Sequence, residues 1–174
     1  MKKVFTYILI IIGIILVGLL TIGWLNPVIE YKAEVKVDVP VDLVYKEYID
    51  QSNMPKWVHN FTSIELQEGE NHQIGSKYKM VVTDQGEQYI IYQTIDAFKE
   101  NEVFGYTFTN EVLTNKVTIS FNNDGTGTYI QAAHSVEGTN VFMNSIFVFM
   151  KDFFEKEANS DFKNLKILIE EKYK

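Results

Sequence analysis

The chain of 174 residues contains no cysteine and no arginine. The first absence excludes disulfides, zinc–thiolate centres and thiol nucleophiles. The second removes the planar fork that grips carboxylates and phosphates through paired hydrogen bonds. Histidine is scarce, and the spacing of His59, His72 and His134 matches no metal signature. Neither a metal nor a cofactor is expected. Gly-x-Ser-x-Gly, His-Glu-x-x-His and phosphate-loop motifs are all missing. Gly125-Thr126-Gly127 lacks a third glycine and reads as a hairpin turn. No catalytic residue is assigned, and the residues favour binding over catalysis.

Charge is absent from Phe5 to Leu25. At a helical rise of about 1.5 Å per residue this stretch covers about 31 Å, the thickness of a hydrocarbon core. Lys2 and Lys3 precede it, and positive flanks stay cytoplasmic. The expectation is a single-pass anchor with the C-terminal part extracytoplasmic. A cleaved signal peptide is the competing reading, but its apolar region is usually shorter, and the one small-x-small site, Thr21-Ile22-Gly23, is poor. Without cysteine, lipoprotein processing is excluded. Gly13, Gly18 and Gly23 recur every five residues, which is not the four-residue spacing of a helix-dimer face. The chain therefore divides into residues 1–27, a stub and membrane helix, and residues 28–174, one domain. Formal charge is −7 overall, and the part after the anchor is more acidic still. It would repel phosphate backbones, so nucleic acid is not an expected partner.

After the anchor, Tyr31, Ala33, Val35, Val37 and Val39 alternate with charged residues, the period of a half-buried strand. Pro40 ends it. Val41, Val44, Tyr45, Tyr48 and Ile49 then share one face of a short helix, and Met54-Pro55-Lys56-Trp57 suggests a second helical piece. Strands are predicted over 61–68, 76–83, 87–98, 103–112, 115–122 and 127–137, separated by turn chemistry such as Asp84-Gln85-Gly86 and Asn123-Asp124-Gly125. Such short spacing favours an antiparallel meander. A long helix closes the chain, from about Asn140 to Tyr173, with a kink or frayed turn expected at Ala158-Asn159-Ser160. These elements make an α+β domain whose sheet lays one face on the last helix.

The order of elements resembles the helix-grip fold of the START-like superfamily, also called SRPBCC or polyketide cyclase/dehydrase-like. Three places carry the resemblance: Val39-Pro40-Val41-Asp42-Leu43-Val44-Tyr45 with Met54-Pro55-Lys56-Trp57; Gly75-Ser76; and Asp161-Phe162-Lys163-Asn164-Leu165-Lys166. The resemblance implies a curved sheet wrapped around the C-terminal helix with an elongated apolar cavity between them. Members include lipid-transfer proteins, hormone-binding proteins and polyketide aromatase/cyclases, so the fold does not fix the function.

Candidate cavity residues follow from the aromatic strands and the last helix. Phe104, Tyr106 and Phe108 alternate on one strand, and Ile119, Phe121 and Ile130 could face them. Met143, Ile146, Phe149, Met150 and Phe153 form the helical stripe expected to meet them. His134 shares a strand face with Ile130, Ala132 and Val136, as a polar anchor for a ligand or a hydrogen-bonded core histidine. The expected partner is a hydrophobic small molecule or lipid, with the membrane engaged through Phe5 to Leu25. Two other readings stay open: a cyclase or dehydratase-like enzyme using His134 or a tyrosine as acid/base, and an envelope interaction domain with a vestigial cavity.

Overall fold

A computed structural model describes residues 2–173. Its elements run α1 (Lys2–Leu25), β1 (Val28–Val37), α2 (Val41–Ile49), a 3-10 turn (Gln51–Asn53), α3 (Met54–Trp57), β2 (Phe61–Glu68), β3 (Lys77–Asp84), β4 (Glu87–Lys99), β5 (Val103–Thr109), β6 (Leu113–Asn123), β7 (Thr128–Gly138) and α4 (Val141–Tyr173). The predicted elements are all present. β1 begins earlier than its alternation suggests, because Val28 and Ile29 pair with Glu137 and Val136 of β7.

The seven strands form one antiparallel sheet in the order β1-β7-β6-β5-β4-β3-β2. Strands β2 to β7 are a meander, whereas β1 and β2 lie on opposite edges. Helices α2 and α3 carry the chain across between those edges. Gln85 and Gly86 take positive φ, 50° and 88°, as a tight two-residue hairpin requires. Bulges interrupt the register near Phe61, Leu66 and Ile95. Each bulge bends its strand and adds twist, so the sheet curls around α4.

Helix α4 starts where Asn140 Oδ1 accepts the Met143 N–H at 3.0 Å, an N-cap bond. One turn on, buried Asn144 accepts the Gly138 N–H at 2.6 Å. Phe162, Leu165 and Ile169, which the apolar spacing reads as resuming a stripe begun by Phe142, Ile146, Phe149 and Phe153, are buried in the core. They continue the arc of Phe147, Phe154 and Ala158, however, and not that of Phe142, Phe149 and Phe153, which are exposed. Periodicity marks a stripe as apolar without saying what it faces. The helix also runs unbroken through Ala158-Asn159-Ser160, where a frayed turn was expected. Asn159 donates to the Glu155 carbonyl at 2.7 Å and accepts the Glu34 N–H of edge strand β1 at 3.2 Å. Its amide reinforces that turn instead of breaking it.

By length and composition α1 is able to cross a membrane. Residues 3–18 are exposed, and only Leu19, Ile22 and Gly23 of this helix are covered. They meet the start of α4, where the Ser145 hydroxyl donates to the carbonyls of Leu19 and Val141.

The far end of α4 is fixed by an ion pair. Glu47 of α2 is 2% exposed and accepts hydrogen bonds from Lys172 Nζ (2.7 Å), the Tyr173 hydroxyl (2.6 Å) and Asn53 Nδ2 (2.9 Å). Burial pushes its pKa up, but the bonds from Lys172 and Tyr173 outweigh this and hold the carboxylate below its ordinary range. Glu47→Ala is expected to lower the unfolding free energy by about 2–3 kcal/mol. Urea denaturation read by far-UV circular dichroism would measure it, and an unchanged midpoint would refute the clamp.

Candidate functional site

Between the concave sheet face, the α2–α3 segment and the middle of α4 lies a cavity of about 610 Å³. Its size falls within the range of about 300–1,000 Å³ common to small-molecule sites. Strand parity builds the walls. Met80 and Val82 of β3, Ile91 and Ile95 of β4, and Phe104 and Phe108 of β5 line it. Trp57, Met54 and Val58 close one side, and Phe153, Phe154 and Ala158 of α4 the other.

A polar row crosses this apolar interior. His134 of β7 pairs with Tyr31 of β1 on one side and Val117 of β6 on the other, and Val117 pairs with Tyr106 of β5. The Tyr31 and His134 rings stack with centroids 4.4 Å apart and planes 9° apart. His134 Nδ1 lies 3.3 Å from the Asn115 amide nitrogen, which gives that ring nitrogen the acceptor role. Burial pulls the His134 pKa down to about 4, so the imidazole is neutral at pH 7. Burial raises Tyr106 to about 12, and its hydroxyl shares a hydrogen bond with Tyr48. Burial, and after it Tyr106, also pushes Tyr31 up, with Asn115 partly opposing. These five polar side chains, Tyr31, His134, Asn115, Tyr106 and Tyr48, are uncharged, so the row offers neutral donors and acceptors. Asn115 Oδ1 and Trp57 Nε1 are buried with no hydrogen-bond partner among the described residues.

Charge is confined to one side of the cavity. Asp161 Oδ1 accepts the His59 N–H at 2.9 Å, tying α4 to the segment before β2. His59 Nε2 lies 3.8 Å from Glu157, and both line the cavity.

The cavity brings together five of the sequence candidates, Phe104, Tyr106, Phe108, His134 and Phe153. Ile119, Phe121 and Ile130 lie on the same sheet face but pack into a solid cluster with Tyr45 and Tyr48. Met143, Ile146 and Met150 fill a second cluster with Ile29, Val136 and Phe147. Phe149 points to the outside. These seven fall outside the cavity lining because α4 turns a different arc toward the sheet and because α2 plugs the far end of it. Sequence reasoning missed Tyr31, Asn115, Gln93 and Asp161. For Asn115 and Gln93 a signal existed: each is polar at an inward parity, between apolar Leu113 and Val117 or between Ile91 and Ile95. Among the described residues no cluster suited to a metal is present.

Residues 38–164 match the family described as Activator of Hsp90 ATPase homolog 1-like protein. Several solved structures share the fold. The Zhui aromatase/cyclase from Streptomyces sp. R1128 aligns with a TM-score of 0.70 at 13% identity, over 84% of this chain and 96% of that one. A protein of unknown function, SA2116 from Staphylococcus aureus, aligns at 0.69 and 17%, over 84% and 96%. Ara h 8.0201 aligns at 0.63 and 19%, over 82% and 97%. At such identities the likeness concerns the helix-grip fold alone. No curated protein matches.

Burial raises the Asp161 carboxyl to about 6, against an ordinary 3.8, with the His59 bond partly opposing. The folded chain thus holds this proton more tightly than the unfolded chain does. The resulting stabilisation is complete below about pH 4 and is lost as the pH rises through about 6. Asp161→Asn keeps an acceptor for the His59 N–H and removes the titration. Thermal melts between pH 4 and 7 are expected to fall less steeply in the variant than in the parent; parallel profiles would contradict the assignment.

Proposed function

Since the chain belongs to the Activator of Hsp90 ATPase homolog 1-like protein family, we propose that it is a membrane-anchored receptor for an apolar small molecule or lipid, held in the cavity behind α4. The observation that carries this reading is the hollow interior itself. An apolar void of this size costs stability through every contact its lining forgoes, and such a void serves a protein when something occupies it. The polar row fits a ligand that is mostly hydrocarbon and carries one uncharged polar group. Neutral His134, Tyr106 and Tyr31 can meet a hydroxyl or carbonyl, while a buried ion would find no counter-charge among them. Helix α1 supports the anchoring half of the reading through its length and its exposed apolar surface. The acidic domain, free of arginine, fits an uncharged ligand better than a phosphorylated one.

A second reading, acid–base chemistry on the bound molecule, is favoured by one observation. An imidazole kept neutral by burial, its Nδ1 accepting from Asn115 and its Nε2–H left to donate, lies beside two tyrosine hydroxyls, a set of proton donors within reach of a bound molecule. Retained ligand affinity with lost turnover in His134→Ala would select it. Equal effects on binding and turnover would leave binding as the function.

Purification of the full chain from membranes, solvent extraction and mass spectrometry test the receptor reading. An apolar species is expected to co-purify near one per chain and to vanish in Ile64→Trp and Met80→Trp, which fill the cavity from its wall. Tyr106→Phe is expected to weaken rebinding by about 1 kcal/mol, roughly fivefold. An empty parent protein, or the same species retained by both tryptophan variants, would defeat the proposal.

A further inference from the structure

Helix α4 has two apolar faces, and the domain interior uses one. Phe147, Phe154 and Phe162 turn toward the sheet. Phe142, Ile146, Phe149 and Phe153, spaced by four, three and four residues, form the other stripe. Half-buried Ile146 is its inner edge, packed on the cluster of Ile29, Val136 and Phe147, whereas Phe142, Phe149 and Phe153 are exposed, Phe149 by 66%. That stripe has a sharp end. The same spacing continued meets Lys156, Ser160 and Lys163 before reaching the lone exposed Ile167. One arc is thus apolar for three turns and, Ile167 apart, polar afterwards. A helix bathed in water along its whole length has no physical reason to keep such a contrast.

The neighbour of the apolar part is α1. Ser145 of α4 donates to the Leu19 carbonyl, and Gly23 has no room for a Cβ because the Val141 carbonyl presses against it. Leu19 lies about 9 Å along the helix axis from the last residue of α1, Leu25. With α1 spanning a bilayer, this contact falls within the depth of the apolar layer. The first turns of α4 are then unable to stand clear of lipid. Val28 and Val112 are exposed at the same end of the domain. Val112 accepts the Thr139 N–H just before α4, so both extend the apolar surface around the junction.

We infer that the first three turns of α4 are a second membrane element, bedded in the interfacial layer of the leaflet at the C-terminal end of α1, with Phe142, Phe149 and Phe153 among the lipids. The inference rests on the anchoring proposed above. Aromatic side chains on one face of a helix, polar ones on the other, are what an interfacial helix presents to a bilayer. Phe153 also lines the cavity. The cavity then opens at the lipid surface, and the ligand class narrows to apolar molecules dissolved in that leaflet, which enter without crossing water.

Because the chain has no cysteine, single cysteines report cleanly. The full chain in phosphatidylcholine nanodiscs is labelled with nitrobenzoxadiazole at Ile10→Cys, Phe142→Cys, Phe149→Cys or Asn122→Cys. Asn122 is exposed at the opposite end of the sheet, where its partner Tyr129 pairs with Lys36. Labels at Ile10, Phe142 and Phe149 are expected to emit at shorter wavelength than the one at Asn122 and to lose emission when doxyl-labelled lipids are included. Phe142 and Phe149 labels that behave like Asn122 overturn the inference, while quenching at Ile10 keeps the anchor. A blue shift that doxyl lipids leave untouched places a second copy of the chain on the stripe and overturns it too. An unquenched Ile10 label removes the span and this inference with it. Ligand extraction is read separately, so an empty cavity beside quenched Phe142 and Phe149 labels rejects the receptor and keeps the membrane element.

Discussion

The cavity exists because α4 is pinned to the rest of the domain by polar bonds at its ends and middle, not by apolar contact along its whole length. At its start Asn144 holds Gly138; at its end Lys172 and Tyr173 hold Glu47; between them Asn159 reaches Glu34 and Asp161 reaches His59. Hydrogen bonds have narrow length and angle tolerances, so these attachments fix the position of α4 against β1, β7, α2 and the segment before β2. Apolar burial has no preferred distance beyond contact and would draw the two surfaces together. The fixed points resist that collapse, and the space between them persists.

Curvature makes that space possible. The bulges near Phe61, Leu66 and Ile95 bend the strands on the β2–β5 side, while β1 and β7 lie directly against α4. One half of the sheet is therefore packed and the other half is hollow. Ile119, Phe121 and Ile130 belong to the packed end because α2 covers them with Tyr45 and Tyr48. The polar row crosses from the packed half, at Tyr31 and His134, into the hollow half at Tyr106. Burial keeps His134 and its tyrosine neighbours uncharged, whereas Asp161, with a pKa near 6, marks the side where charge is tolerated. The interior thereby selects for neutrality before any shape is considered.

Much of this was legible in the sequence, for reasons that can be stated. Alternation over Tyr31 to Val39 and turn chemistry at Asp84-Gln85-Gly86 identify strands because a strand's two faces and a hairpin's φ requirements are local properties. Orientation of α4 is not local. Phe142-Ile146-Phe149-Phe153 and Phe147-Phe154-Phe162 are both apolar stripes on one helix, and only the partner surface decides which one packs on the sheet. The same holds for the unbroken turn at Asn159, whose bond to Glu34 spans 125 residues of sequence. Asn115 and Gln93 were readable in principle as polar residues at inward parity; Gln93 lines the cavity and Asn115 holds His134, which does.

The doubled stripe of α4 ties these points together. A helix that serves only as the core of a grip needs one apolar face, and from Lys156 onward α4 has one, Ile167 being the one large apolar side chain exposed outside it among the described residues. Before that point it has two, and the second begins where α1 crosses it at Ser145 and ends at Phe153, which also borders the cavity. A surface for dimerisation would have no reason to stop at the cavity's edge or to start at the anchor. On the anchoring and receptor proposals, a surface for lipid has both reasons: α1 would fix the depth at which it begins, and the cavity would be the place to which an apolar molecule is delivered. Removing a hydrocarbon chain from lipid into water opposes transfer by about 0.8 kcal/mol for each CH₂ group exposed. A wall helix that is itself seated in the leaflet avoids that barrier, and the sharp boundary at Phe153 is where such a route would have to pass from membrane to protein.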